Sequence, residues 1–193
     1  MRAGSHQYLI HNHHDLLGGG VVTPQQFRDL RASVPSPVTI VTTADENGPV
    51  GATVSAFMPL SINPHLILIA MEDSSRVLDR IRERGQFAVN ILAEQQAELA
   101  MIFGGPGREK FAHAEWHLDH GLPRFDRVAS WLSCEVADTL PGGDHVILLG
   151  KVTAVSNTET APMVYSHRLF GTHSEFAHRP KRALEESIGA FRR

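Results

Sequence analysis

The sequence has little of several features that mark whole classes of protein. It contains one cysteine, Cys134, so no disulfide can form within the chain, which is typical of a reducing compartment such as the cytoplasm. Lysine and arginine total 18 against 21 acidic residues, and without a basic surplus we expect no nucleic-acid partner. The longest apolar runs, residues 66–71 and 146–150, are too short to cross a bilayer, so we expect no membrane segment.

What is present indicates one globular domain with a separate N-terminal arm. The chain has 193 residues, 42% hydrophobic and 20% charged, which is ordinary for a single folded domain. Residues 1–20 hold four histidines and end in three glycines, so we interpret them as an expression tag, a natural flexible arm or a transition-metal site. No carboxylate or thiolate stands at ligand spacing, and we therefore predict no metal. Residues 21–193 form the domain, which ends in a polar, basic tail.

Strands dominate the rest of the chain, and they come in hairpins. A helix begins at Thr23-Pro24, with Phe27 and Leu30 expected to face the core. Asn47-Gly48 predicts a hairpin turn. A second helix is predicted to begin at residues 73–76, and a third to cover residues 94–103. Residues 104–127 are predicted to form a loop. The predicted strands cover residues 38–43, 50–57, 66–71 (fully buried), 86–92, 129–139 and 145–155. Because the strands do not alternate with helices, this order favours a mainly β fold, a closed antiparallel barrel with peripheral helices.

Common catalytic motifs do not occur in this sequence. It has no dinucleotide-type glycine turn, no phosphate loop, no paired-cysteine metal site and no Gly-x-Ser-x-Gly nucleophile turn. The glycines at 104–107 follow a helix rather than a strand, so they predict the end of that helix. His113, His117 and His120 are more simply explained as surface-loop histidines than as metal ligands, and Cys134 as a small core residue.

Three short segments could carry chemistry, although each also has a purely structural explanation. Residues 51–57 are small or hydroxylated, which would let a flat ligand lie on the backbone, or would simply form a tight barrel corner. Asp73-Ser74-Ser75-Arg76 is either an anion site at a helix start or a plain helix cap. Gly143-Asp144-His145 either places His145 at the barrel rim for chemistry or is an ordinary turn.

In this order and spacing, these segments resemble the flavin reductase-like family, whose members are reductase components of two-component flavin monooxygenases. The resemblance covers most of the chain, from Phe27 to Gly171. It also rests on Leu60-Ser61, on the strand that ends in Asn90, on Lys110-Phe111, and on Val164-Tyr165 with Arg168. It implies an FMN-binding split antiparallel β-barrel with peripheral α-helices, assembled as a homodimer.

The resemblance also implies roles for individual residues. Thr53, Val54, Ser55 and Ala56 would line the flavin ring, with Ser61 nearby. Ser74, Ser75 and Arg76 would hold the phosphate end, and Asn90 would lie near the ribityl or adenine part. His145 would contact the nicotinamide donor and act as the catalytic residue, and Arg168 would help to seat the dinucleotide. Pro37 and Ser166-His167 depart from the family pattern.

The function that follows is an NAD(P)H:flavin oxidoreductase that passes a hydride to free FAD or FMN. The reduced flavin would then diffuse to a partner monooxygenase. Such a reaction needs ring positioning and charge stabilisation rather than a nucleophile, which agrees with the missing catalytic motifs. Two alternatives stay open: a flavoprotein that keeps its flavin and acts on its own substrate, and a non-enzymatic flavin- or haem-binding module. The sequence does not separate FAD from FMN, or NADH from NADPH, since no arginine cluster is visible in it.

Overall fold

The computed structural model describes residues 21–107 and 109–172. In these residues the helices are α1 (Pro24–Ser33), α2 (Arg76–Arg84) and α3 (Ala97–Gly104), with a 3-10 turn at Lys110–His113. The strands are β1 (Ser36–Pro37), β2 (Thr39–Asp45), β3 (Gly48–Val54), β4 (Phe57–Ser61), β5 (Leu66–Glu72), β6 (Gln86–Ile91), β7 (Trp116–Asp119), β8 (Leu122–Phe125), β9 (Ser130–Gly142), β10 (His145–Asn157), β11 (Val164–Ser166) and β12 (Leu169–Gly171). The prediction of a mainly β fold with peripheral helices is confirmed.

One seven-stranded antiparallel sheet, in the order β3-β2-β6-β9-β10-β5-β4, forms the body of the fold. Its two edge strands, β3 and β4, follow one another in the chain and are joined by Ser55 and Ala56 alone. Two residues span only about 7 Å, so the sheet has to curl until its edges meet at this link. No ladder joins the two edges among the described residues, so the barrel is split, as the family resemblance implied, rather than closed, as the strand order alone favoured.

Two apolar clusters fill the two sides of the curled sheet. The first lies inside the barrel and includes Ile69, Leu78, Phe87 and Leu148, all 0% exposed. The second lies between the outer face of the sheet, α3 and the β7–β8 hairpin, and contains Phe103 and Trp131 among others. The two faces of β6 therefore meet different cores, and residues 87–90 are all buried.

Helix α1 differs from its prediction. The capping box at Thr23 and Gln26 is confirmed, but Phe27 is 54% and Leu30 58% exposed, so the expectation that they face the core was wrong. Hydrogen bonds hold the helix instead. Ser166 Oγ donates to Ser33 O at 3.2 Å, and an ion pair to Asp29 reaches the same helix from the β11–β12 turn.

The predicted strand over residues 50–57 is two strands, because the chain leaves one sheet edge at Val54 and starts the other at Phe57. The predicted fully buried strand over 66–71 is also wrong: its residues alternate, with Ile67, Ile69 and Met71 buried. This alternation follows from an antiparallel strand with only one face on the core.

Residues 104–127 contain a hairpin that the sequence analysis treated as loop. Strands β7 and β8 pair from Trp116 with Phe125 to Asp119 with Leu122, around His120 and Gly121. Both turn residues have positive φ, 50° and 74°, the geometry that two-residue hairpin loops favour. The long β9–β10 hairpin, by contrast, is confirmed and extends further than predicted.

The proposed arm at residues 1–20, with its histidines, lies outside the described residues, as do residues 173–193 of the tail. Within residues 21–107 and 109–172, no helix is long and apolar enough to cross a membrane.

Candidate functional site

The link between β3 and β4 borders a cavity of about 320 Å³, which we call the junction cavity. Thr53, Val54, Ser55 and Ala56 line it together, as the sequence predicted for a ligand shelf. Ser55 and Ala56 are exposed, and their backbone N–H groups have no acceptor within the described part of the chain. The volume lies in the range of small-molecule sites, roughly 300–1,000 Å³. The shelf is therefore open and offers unused donors.

Not every small residue in this stretch serves the cavity. A Cβ on Gly51 would come within 3.1 Å of Phe103 Cε1 and of Thr42 Cγ2, so Gly51 is small because α3 packs over it. Thr53 Oγ1 donates to Ala100 O at 2.7 Å and fastens α3 to β3. The structural explanation, a tightly packed barrel corner, thus applies to Gly51. It does not apply to Ser55 and Ala56, which are exposed.

His145 is the first residue of β10, opposite Glu72 at the end of the neighbouring strand β5, and it lines the junction cavity. Its Nδ1 lies 2.7 Å from Asp144 Oδ1, and its side chain is 28% exposed. That hydrogen bond is the main reason why the pKa of Asp144 lies below its ordinary value, and the charges of His145 and Arg31 act in the same direction. With Nδ1 held by a carboxylate, Nε2 is the ring nitrogen available to a ligand.

A second cavity, about 670 Å³, lies at the start of α2, and we call it the α2 cavity. It shares Ala52, Ser75 and Lys110 with the junction cavity. Ser75 caps α2, since its Oγ accepts from Leu78 N at 3.5 Å, so the segment 73–76 contains a helix cap, one of its two open interpretations. The N–H groups of the first helical turn and the guanidinium of Arg76 border this cavity, which favours an anion there.

Lys110 and Arg76 leave positive charge uncompensated at the α2 cavity. In the described ranges neither side chain has a carboxylate within ion-pair distance, and Lys110 Nζ donates only to Phe103 O, at 2.9 Å. Burial lowers the pKa of Lys110, and repulsion by Arg76 lowers it further. The negative charge of an anionic ligand group would act against both effects, because it stabilises the charged form of Lys110.

A third cavity, about 530 Å³, lies between α1 and the β11–β12 turn, and we call it the α1 cavity. It shares Arg31, Ser55 and Ala56 with the junction cavity. Arg168 lines this cavity, and its Nη2 donates to Asp29 Oδ1 at 2.9 Å. The pKa of Asp29 is lowered mainly by the hydrogen bond between Asp29 and Gln25, and Arg168 lowers it further. The three cavities adjoin one another and form one groove around the β3–β4 link.

Three of the predicted site residues line none of these three cavities: Ser61, Ser74 and Asn90. Ser61 ends β4 opposite Leu66, and Ser74 is exposed just before α2. Asn90 is 0% exposed and lies in the core, where its Oδ1 accepts from Phe125 N at 2.9 Å. Its Nδ2 lies 3.3 Å from Ile40 O and Pro123 O, so the side chain holds the β7–β8 hairpin on the sheet. The predicted flavin contact of Asn90 is therefore corrected to a structural role.

The sequence analysis did not assign four cationic residues of the groove to the site: Arg28, Arg31, Arg80 and Lys110. Lys110 was noted as part of a motif but not placed at the site, and the start of the 3-10 turn brings it between the junction and α2 cavities. Arg31 gave no signal, because α1 was expected to pack on the core through Phe27 and Leu30. Its position three residues after Arg28 would have been the only hint.

The fold and the groove define a split-barrel protein with an open shelf, a histidine and cationic side chains along a groove of small-molecule size. Comparison with known proteins gives the family. Residues 30–174 match the model of the flavin reductase like domain, and the chain belongs to this family.

Similar proteins and a similar solved structure support the same grouping. The chain is 37% identical over 147 residues to the reductase component of 4-nitrophenol 4-monooxygenase/4-nitrocatechol 2-monooxygenase from Rhodococcus opacus, covering 76% of this chain and 79% of that one. It is also 37% identical over 140 residues to the "Probable flavin reductase" of Rhizobium meliloti (strain 1021), covering 72% of this chain but only 45% of that protein. The NADH:FAD oxidoreductase SgcE6 of Streptomyces globisporus, solved in complex with NAD and FAD fragments, superposes with a TM-score of 0.76 at 27% identity, covering 81% and 98% of the two chains.

Proposed function

We propose that this chain is an NAD(P)H:flavin oxidoreductase, which transfers a hydride to FAD or FMN and releases reduced flavin to a partner monooxygenase. The observation that carries the proposal is the open shelf of Ser55 and Ala56, with His145 at its rim. The family membership supports the reaction class, and the reductase component from Rhodococcus opacus supports the kind of partner.

The residues of the groove fit a flavin in three respects. The shelf at residues 53–56 carries small side chains that leave room for a ring system, and the unpaired N–H groups of Ser55 and Ala56 suit the polar edge of such a ring. Arg76 and Lys110 supply the positive charge that a flavin phosphate requires. A bound flavin would supply the hydride acceptor, which the protein side chains cannot provide.

The chain's own residues orient the reactants and control charge. Ser55 and Ala56 would donate hydrogen bonds toward the site where negative charge develops. His145, held through Nδ1 by Asp144, would present Nε2 to the nicotinamide side of the groove. Because hydride transfer moves both electrons with the hydrogen, positioning accounts for most of the catalysis and no buried acid is needed.

We further propose that the protein works as a homodimer in the cytoplasm. The resemblance stated above supports the dimer. Cys134 supports the compartment, because the single thiol is buried and forms no disulfide.

Steady-state oxidation of NADH and NADPH, each crossed with FAD, FMN and riboflavin, tests the proposal. We expect NADH consumption only when free flavin is added. A protein that holds its flavin through gel filtration and ignores added flavin would instead be a self-contained flavoprotein. Turnover that is indifferent to flavin, or no turnover at all, would contradict the proposal.

A matched pair of variants tests the role of His145. We expect His145→Gln to lose NADH turnover while flavin binding, measured by fluorescence quenching, is retained. His117→Gln is the control, because His117 also pairs with a carboxylate, Nδ1 to Asp126 Oδ1 at 3.0 Å, but lines none of the three cavities. Equal turnover in both variants would exclude a catalytic role for His145.

A further inference from the structure

Helix α1 carries an apolar stripe that the described residues leave half exposed. Phe27 is 54% exposed, Leu30 58%, and Val34, the C-cap of the helix, 50%. Since they are spaced three and four residues apart, these side chains lie on one side of the helix, which we call the α1 face. We propose that the C-terminal segment of the same chain, residues 173–193, docks on the α1 face.

The helix lacks the packing that a helix of its length needs. It has ten residues, a complete capping box and a proline in its first turn, yet none of its residues is buried. Helices shorter than about 12–15 residues are marginal in water unless an apolar face packs on another element. Ser166 Oγ donates to Ser33 O at 3.2 Å and holds the C-terminal end of the helix, but this polar contact leaves the α1 face open. The missing apolar contact therefore has to come from outside the described residues.

The described part of the chain ends next to this helix. Pro35, which follows the α1 face in the chain, lines a fourth cavity of about 240 Å³ together with Gly171 and Thr172. Thr172 is the last described residue, so the C-terminal segment starts beside the end of α1. Helix α1 is about 15 Å long, and the stretch between Thr172 and Leu184 spans more than about 30 Å when extended. Residues 184–191 can therefore reach every part of the α1 face.

The sequence of the C-terminal segment contains a matching apolar stripe. Leu184, Ile188 and Phe191 are spaced four and three residues apart, which is the spacing of one side of a helix. The opposite side of such a helix would be charged and would carry Arg182, Glu186 and Arg193. This pattern predicts an amphipathic helix whose stripe covers as many positions as the α1 face. Two stripes of equal length can bury each other along their whole length.

A spin label on the C-terminal segment tests the docking in the full-length protein. Arg192→Cys places a nitroxide beside Phe191, and the native thiol of Cys134 takes up no label because it is buried. Amide NMR signals of the isotope-labelled protein are compared before and after chemical reduction of the nitroxide. We expect the oxidised label to broaden the amides of residues 27–34, so that most of their intensity is lost.

Two variants that introduce the same residue on opposite sides of the segment form a matched pair. Ile188→Ser removes an apolar side chain of the stripe, so we expect it to restore the intensity of residues 27–34. Glu186→Ser changes the charged side, so the broadening should persist. Phe27→Ser changes the α1 face itself, at a residue that lines none of the three cavities, and should also reduce the broadening. Well-dispersed amide signals confirm that each variant is folded.

Three outcomes would overturn the proposal: no broadening at residues 27–34 in the spin-labelled protein, equal broadening in Ile188→Ser and Glu186→Ser, or broadening that arises between chains. The last is measured by mixing spin-labelled protein with isotope-labelled protein that carries no nitroxide, and allowing subunits to exchange. Broadening in this mixture would place the segment on the α1 face of a second copy instead of its own. An unbroadened mixture, together with broadening within the single chain, supports the docking.

Discussion

Gly150 in β10 lies where the barrel interior has no room for a side chain. A Cβ there would lie 2.6 Å from Phe87 Cζ, 3.0 Å from Ile67 Cδ1 and 3.2 Å from Cys134 Cβ. All three neighbours are buried, and Gly150 adjoins a register shift between β9 and β10. We therefore expect Gly150→Ala to overpack the core and to lower the free energy of unfolding by about 1–3 kcal/mol.

This cost corresponds to a fall in Tm of about 2–12 °C for a domain of this size. Thermal unfolding followed by circular dichroism measures it. Gly171→Ala is the matched control, because a Cβ at Gly171 meets no heavy atom within 4 Å and the residue does not have positive φ. In a Phe87→Leu background, which removes the closest atom, the Gly150→Ala substitution should cost less. Equal Tm values for Gly150→Ala and Gly171→Ala would refute the packing argument.

Three further outcomes follow from single contacts. NMR titration should show that the pKa of the Asp144 carboxyl lies below its ordinary value of 3.8, and that this pKa rises in His145→Ala. Because the pKa is lowered in the folded state, the stabilisation from this pair is present at pH values above 3.8. It is lost as the pH falls through the lowered pKa. An unchanged titration in the variant would contradict the pairing. Thr53→Val should lower the free energy of unfolding by about 0.5–1.5 kcal/mol, since it removes the 2.7 Å hydrogen bond to Ala100 O, and chemical denaturation with an unchanged m-value would measure this. Burial raises the pKa of Cys134 to about 12, so mass spectrometry should find no alkylation by iodoacetamide at pH 8 in the folded protein and full alkylation in denaturant.

The sequence by itself determined the local structure wherever a strong short-range signal exists. The capping box at Thr23, the serine cap of α2 at Ser75 and the β9–β10 hairpin follow from residue types at fixed spacing, and the structure confirms them. The sequence also singled out residues 53–56, which line a cavity, because small and hydroxylated residues there depart from the usual β-branched pattern of strands; their role in binding stays a prediction.

Only the tertiary structure decided how these pieces meet. The break after Val54 appears when the sheet curls, because the same short stretch must leave one edge and begin the other. The family resemblance implied a ligand contact for Asn90, but the β7–β8 hairpin folds over it, and its side-chain amide is hydrogen-bonded to Phe125 N and Pro123 O. Arg31 and Arg168 come together over 137 positions of sequence, and no local pattern records that distance. Local propensity acts between near neighbours, whereas the groove is assembled by long-range pairing, so the position of Arg31 beside Arg168 emerges only from the folded chain.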